Sequence, residues 1–314
     1  MRIRAIRAFF SLRLRAFALK IFMLVFLNGQ FVPEPQAVVP INDRGFMYGD
    51  GLFETMRVVN GRPFCMVQHL ERMMRGANFL QIKSPFTPRE LQQFAEQLIG
   101  KNQMSEAILR VTLTRGPGER GYTPKSDGKP TVVMALHAAP PLEKTIQWSL
   151  ATSSFRVPAA DPLAAFKTMN KLTHVMARIE AIEKGADEAL LINTNGDVAE
   201  TASGNLFWVS RDRVCTVPAG CGVLPGITRA VVLAICRTLG LHTNQRVIKP
   251  GALRDSEGIF ITQSAFGIVP VTAFDGEPVA SSPLVIKSGV PTAKCSPSRD
   301  PRRPRLLLMV NFLH

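Results

Sequence analysis

Five short stretches of the 314-residue chain carry groups that could act together on a small molecule. Lys167 opens FKTMNKLTHVMARIEAIEKG (166–185) after the Pro/Ala-rich approach VPAADPLAAF. A lysine amine held among apolar neighbours loses its proton more readily, because burial disfavours the ammonium, and the free amine is a nucleophile. An ordinary solvated lysine, the commoner case, would do neither. Glu200 lies in VAETASGNLFWV, followed by small residues that leave room for a flat ligand; the alternative is a surface acid on an edge strand. Arg72, in HLERM, points off the apolar face of its helix, as an anion ligand or as a solvated arginine. Gly226 precedes Ile227-Thr228-Arg229, where free amides and the helix dipole favour a phosphate, unless this is a plain loop-to-helix junction. Ser264, in QSAFG, could add a hydroxyl.

Periodicity supplies the elements that must place these groups. Residues 166–185 read as an amphipathic helix, with Leu172, Val175, Met176, Ile179 and Ile182 on one face. Residues 23–63 read as strand, Asn-Gly turn, strand, a tight loop around Gly45, Gly49 and Gly51, and a strand at 52–59 closed by Asn60-Gly61. Helices follow at 68–82, with Leu70, Met73, Ala77 and Leu80 inward, and at 87–101, opened by Thr87-Pro88. A strand at 107–114 runs into RGPGERGYTP, whose glycine and proline density marks either a shaped loop projecting Arg115 and Arg120 or a disordered hairpin tip. Further strands are expected at 131–137, 146–153, 188–193, 198–209 and 258–262. The pattern is α/β with two domains. The expected division is a basic extension at 1–22, a small domain at 23–141, a larger one at 142–287, and a Pro/Arg-rich tail without structure at 288–314.

The net charge of +14 suggests nucleic acid until it is located. Residues 1–20 hold +6 and residues 287–314 hold +5, so only +3 remains on the globular part, with no basic stripe interleaved with aromatics. Nucleic-acid binding is therefore a weak expectation. Lys20 interrupts the apolar run of the first 22 residues and leaves it too short to span a membrane. A targeting helix, a signal anchor and an upstream extension of a start at Met23 compete there, and the last fits best. The five cysteines are scattered without CxxC, which argues against zinc or a disulfide framework and for reduced thiols in a cytoplasmic protein.

Taken together, DRGFMYGDGLFETMR, HLERM, FKTMNKL with GADEALLIN, and VAETASGNLFW with LPGITR resemble the class IV pyridoxal-phosphate enzymes across about residues 23–275. That family holds branched-chain aminotransferases, D-amino-acid aminotransferases and 4-amino-4-deoxychorismate lyases. The resemblance implies a two-domain fold with pyridoxal 5'-phosphate between a small N-terminal and a larger C-terminal domain, in a homodimer that completes each site. It implies that Lys167 forms the Schiff base, that Glu200 pairs with the pyridine nitrogen, and that Arg72, the amides of Ile227 and Thr228, and the Ser264 hydroxyl hold the phosphate. A carboxylate there keeps the ring protonated and electron-poor. RGPGERGY, NLFW with Trp208 and KTMNKL resemble the lyases. D-amino-acid aminotransferases tend to carry Arg-Asn-His where this chain has Arg120-Gly121-Tyr122, and tyrosine at Phe53. Branched-chain enzymes generally lack the loop. Lys171 departs from the arginine of several lyases, and Glu54-Thr55 is shared with aminotransferases. The implied activity is 4-amino-4-deoxychorismate lyase, giving 4-aminobenzoate and pyruvate for folate precursor synthesis. Arg115, Arg120, Phe53 and Tyr122 would face substrate, and Thr55 would assist proton transfer. The alternatives are a class IV aminotransferase for branched-chain or D-amino acids, and a catalytically dead relative or a membrane-attached binding protein.

Overall fold

The computed structural model describes residues 22–124, 128–141 and 146–284, and the backbone of a short antiparallel pair, Ala293–Cys295 with Leu306–Leu308. That pair lies in the tail expected to lack structure; the rest of the tail and residues 1–21 lie outside the described residues.

The chain builds two sheets in succession. The first is antiparallel, in the order β2-β1-β6-β5-β3-β4, from β1 (Leu24–Leu27), β2 (Gln30–Pro33), β3 (Gly51–Val59), β4 (Arg62–Pro63), β5 (Ala107–Thr114) and β6 (Thr131–Ala138). Helix α1 (Arg44–Tyr48) occupies the glycine-rich loop and ends on Gly49, whose φ of 66° suits glycine. Helices α2 (Met66–Phe79) and α3 (Pro88–Asn102) cover one face of this sheet. Thr87 and Glu90 cap α3 reciprocally. Along β3, Leu52, Met56 and Val58 face α2 and join Leu70, Met73 and Ala77 in one core. Alternation sends Phe53 and Thr55 to the other face, beside Thr112 and Arg110 of β5.

The second sheet runs β12-β11-β10-β13-β14-β7-β8-β9, with one further strand beside β14. Its strands are β7 (Trp148–Val157), β8 (Glu188–Asn193), β9 (Val198–Thr201), β10 (Asn205–Ser210), β11 (Arg213–Thr216), β12 (Thr243–Gln245), β13 (Gly258–Gln263) and β14 (Gly267–Phe274). The single strand expected over 198–209 is broken: Thr201 and Gly204 close a turn through Ser203, so Glu200 and Asn205 sit on separate strands that converge at one place. Helix α5 (Ile227–Thr238) covers Phe207 and Phe260.

Helix α4 (Leu172–Glu183) corrects a second expectation. It starts five residues after Lys167, and its apolar stripe faces outward. Leu172, Val175, Met176, Ile179 and Ile182 are exposed, while Ala177 and Ala181 are buried. Period alone locates a stripe but not the side on which the core lies. The small residues let the helix lie close against β7 and β8. Among the described residues no helix is long and apolar enough to cross a membrane.

Candidate active site

Lys167 stands on an extended segment stitched to the start of β3. The Phe53 N–H donates to the Lys167 carbonyl at 2.9 Å, and the Met169 N–H donates to the Gly51 carbonyl at 3.0 Å. The C-terminal half thus lends an edge to the N-terminal sheet, and the lysine side chain enters the seam between the two sheets. Its Nζ lies 4.7 Å from the centre of the Phe53 ring. Burial and, next, the Arg72 charge lower its pKa to about 8, against the pull of Glu54 and Glu200. The amine has no hydrogen-bond partner among the described residues.

Arg72 is buried, at 4% exposure, and is not solvated. Glu54, on the apolar face of β3, receives its Nε at 2.8 Å and its Nη2 at 2.7 Å, and His69 Nδ1 at 2.6 Å. Burial raises the Glu54 pKa, but the hydrogen bonds from Arg72 and His69 outweigh it and hold the carboxyl at about 2. Burial pushes His69 below its ordinary value, so the ring is a neutral donor. Arg72 Nη1 donates to the Pro225 carbonyl at 3.0 Å, beside the first turn of α5. The arginine and the start of α5 therefore belong to one site, with two guanidinium N–H groups left for an anion.

Glu200 is buried although β9 ends the sheet. Its Oε2 receives the Leu224 N–H at 3.0 Å and Asn205 Nδ2 at 3.5 Å, and its Oε1 lies 3.3 Å from His174 Nε2. Asn205 Nδ2 also donates to the Leu224 carbonyl at 2.8 Å, which fixes the approach to Gly226. A Cβ on Gly226 would collide with the Asn205 side chain. No side chain caps the start of α5, and Thr228 is buried there. Ser264 is half-buried in the turn after β13, and the neighbouring Ala265 carbonyl accepts from Arg57 Nη1 at 2.8 Å. Arg57 thus straps this turn to β3.

The substrate residues expected from sequence divide. Phe53 and Thr55 stand on the sheet face that looks into the seam. Arg115 does not project from its loop: its Nε and Nη2 grip Asp50 at 2.7 and 3.0 Å, and its Nη1 and Nη2 donate to the Gln81 and Leu80 carbonyls. Arg120 and Tyr122 line a cavity of about 340 Å³ with Arg44, which donates to the Gly121 and Tyr122 carbonyls. Tyr122 is 88% exposed. No described contact joins this loop to Lys167 or Glu200. The sequence reading missed Glu54, His69, Arg110, His174 and Asn205. Arg110 lies 3.9 Å over the Phe53 ring, with no hydrogen-bond or ion-pair partner among the described residues.

A phosphorylated pyridine aldehyde needs an amine, a seat for a dianion and a partner for a ring nitrogen. Lys167, Arg72 with the uncapped start of α5, and Glu200 bring groups of those three kinds together in the seam. Thr262 pairs with Asn205 across β13 and β10, so the two side chains share a face, and its buried hydroxyl has no partner among the described residues. An orphaned hydroxyl on the face that α5 covers fits a site shaped for an additional group.

A sequence model of the family described as amino-transferase class IV matches residues 51–274. A putative branched-chain-amino-acid aminotransferase of Methanocaldococcus jannaschii is 35% identical, over 81% of this chain and 88% of its own length. A D-alanine aminotransferase of Bacillus licheniformis is 30% identical, over 86% and 95%. Among solved structures, a putative 4-amino-4-deoxychorismate lyase of Legionella pneumophila superposes with a TM-score of 0.75 at 27% identity, covering 80% of this chain and 93% of that one. A T.th. branched-chain amino acid aminotransferase solved with pyridoxamine 5'-phosphate gives 0.78 at 27% identity, covering 84% and 90%. The chain is an enzyme of the class IV aminotransferase family, and its cofactor is pyridoxal phosphate.

Proposed function

We propose that this enzyme is a 4-amino-4-deoxychorismate lyase, releasing 4-aminobenzoate, a folate precursor, and pyruvate. The observation that carries this reading is the wall of the site at Phe53. One flat apolar ring has an amine, Lys167, at 4.7 Å and a guanidinium, Arg110, at 3.9 Å that has no hydrogen-bond or ion-pair partner among the described residues. Such a wall suits a flat cyclic amine that carries a carboxylate, because the ring stacks while arginine takes the acid as a bidentate acceptor. The bound cofactor supplies the electron sink. Arg72 and the start of α5 hold its phosphate, and Glu200 faces its ring nitrogen. Lys167 Nζ takes the proton from the amine-bearing carbon of the substrate ring, which a pKa of about 8 permits near neutral pH. Loss of pyruvate then leaves an aromatic ring. Thr55, paired with Arg110 across β3 and β5, would assist that transfer.

The identity of 35% to the M. jannaschii protein favours a second reading, a class IV aminotransferase. It uses the same cofactor residues. Holoenzyme mixed with aminodeoxychorismate decides between them: 4-aminobenzoate and pyruvate should appear together, and their absence above the uncatalysed rate sinks the lyase. Leucine, valine or D-alanine alone should leave the cofactor spectrum unchanged; conversion to the amine form of the cofactor would establish the aminotransferase.

The functional unit is a homodimer in this reading. The outward stripe of α4 is a continuous apolar face of five residues, larger than single scattered surface hydrophobics, and a second copy of the chain would cover it.

A further inference from the structure

His174 belongs to none of the roles assigned above, yet its ring lies within hydrogen-bond distance of Glu200 Oε1. It sits in the first turn of α4, on the inward face with Ala177 and Ala181, at spacings of three and four. Those alanines bring the helix close enough to β8 for the imidazole to reach across to β9. Nε2 lies 3.3 Å from Glu200 Oε1, and Nδ1 is buried with no partner among the described residues.

We propose that His174 is a positioning residue for Glu200, holding the carboxylate in the rotamer that faces the cofactor's ring nitrogen. A carboxylate only accepts, so Nε2 carries the proton at this contact. Nδ1 on the far side of the ring is left buried and without a partner among the described residues. A hydrogen bond donated to the charged form of an acid favours that form. With Leu224 N–H and Asn205 Nδ2 on Oε2 and His174 on Oε1, both oxygens are held in place. The nearby cations, Lys167, Lys171 and Arg72, act on the same pocket; for Lys171, burial and then Glu200 are the leading influences, and burial wins.

The inference rests on Glu200 being the ring-nitrogen partner, and the test separates the two. Holoenzyme is prepared with pyridoxal phosphate labelled with nitrogen-15 in the ring, for the native chain, His174→Gln, His174→Leu and Glu200→Gln. The nitrogen signal is followed against pH, together with the cofactor dissociation constant. His174→Gln keeps an N–H donor and should hold the native signal and affinity within about twofold. His174→Leu should move the nitrogen signal toward the unprotonated value and weaken cofactor binding roughly tenfold, as second-layer partners of a bound group do. Equal affinity losses in both His174 variants with no movement of the nitrogen signal would assign His174 a purely packing role and overturn the proposal. So would a native signal in His174→Leu. If His174→Leu does not fold, His174→Asn against His174→Gln, read by the same signal, takes its place. An unmoved signal in Glu200→Gln would instead show that the Glu200 assignment is wrong.

Discussion

The Arg72 guanidinium grips the Glu54 carboxylate through two parallel hydrogen bonds, 2.8 Å from Nε and 2.7 Å from Nη2, with both side chains almost wholly buried. The pair holds Arg72 still while its remaining N–H groups face the start of α5. Removing one partner of a buried pair strands the other, at a cost of about 3–5 kcal/mol. Glu54→Gln should therefore lower the thermal midpoint and weaken cofactor binding together. The pH dependence follows from the sign of the shift. A carboxyl held at about 2 in the folded state, against 4.5 ordinarily, contributes stability that is full above about 4.5 and is lost as the pH falls toward 2. Acid unfolding followed by circular dichroism should show that loss in the native chain and a blunted one in Glu54→Gln. Identical acid profiles would remove Glu54 from this role.

Lys167 titrates in the opposite sense. A buried ammonium with a folded pKa of about 8 costs stability below pH 8, and the cost is relieved as the pH rises toward the unfolded value of 10.5. The cofactor-free protein should take up pyridoxal phosphate faster as the pH rises through about 8, since the neutral amine is the reactive form. A stopped-flow absorbance series from pH 6 to 10 checks this. A rate that keeps climbing to pH 10 would mean that the lysine is not desolvated.

Gly226 leaves no space for a side chain beside Asn205. Gly226→Ala should displace Asn205 from the Leu224 carbonyl, loosen Glu200 and tilt the first turn of α5. Cofactor affinity should fall roughly 10- to 100-fold, the usual effect of disturbing groups behind a binding shell, while the circular dichroism spectrum is unchanged. Unchanged affinity would show that the start of α5 is not the phosphate seat.

Arg110→Leu should raise KM for an acidic substrate roughly 10- to 150-fold, the equivalent of losing a charge-assisted hydrogen bond of about 1.5–3 kcal/mol, with cofactor affinity retained. The outward stripe predicts separately that the native chain sediments as a dimer in analytical ultracentrifugation and that Ile179→Glu yields a monomer. A native monomer would leave the stripe unexplained by self-association.

Much of this site could be read before any coordinates. Lys167, Glu200, Arg72 and the start of α5 come from residue type, spacing and resemblance, and all four converge on one seam. The strand expected at 52–59, fed by the glycine-rich loop, is found at Gly51–Val59, and its hairpin was legible from Asn60-Gly61. What escaped were groups whose meaning depends on which side of an element is the core. Glu54 falls on the apolar side of β3 between Leu52 and Met56, an alternation that marks a buried acid once the inward face is known. Arg110 gave no such sign, because one arginine in a strand looks the same whether solvated or stacked on a ring. On α4 the conspicuous stripe pointed to the wrong side, and the inward signal was the quieter series His174, Ala177, Ala181. Arg115 was misread because a loop rich in glycine says nothing about an acid, Asp50, waiting 65 residues earlier in the chain.

The lysine assignment itself has the most direct test. Two desolvated amines, Lys167 and Lys171, lie four positions apart in this pocket, and only the first stands over Phe53. The yellow holoenzyme is reduced with borohydride, digested, and the phosphopyridoxyl peptide is mapped by mass spectrometry. The label should fall on Lys167, and Lys167→Ala should lose both the colour and the label. A label on Lys171, or a yellow band that survives Lys167→Ala, would contradict the arrangement of the site described above.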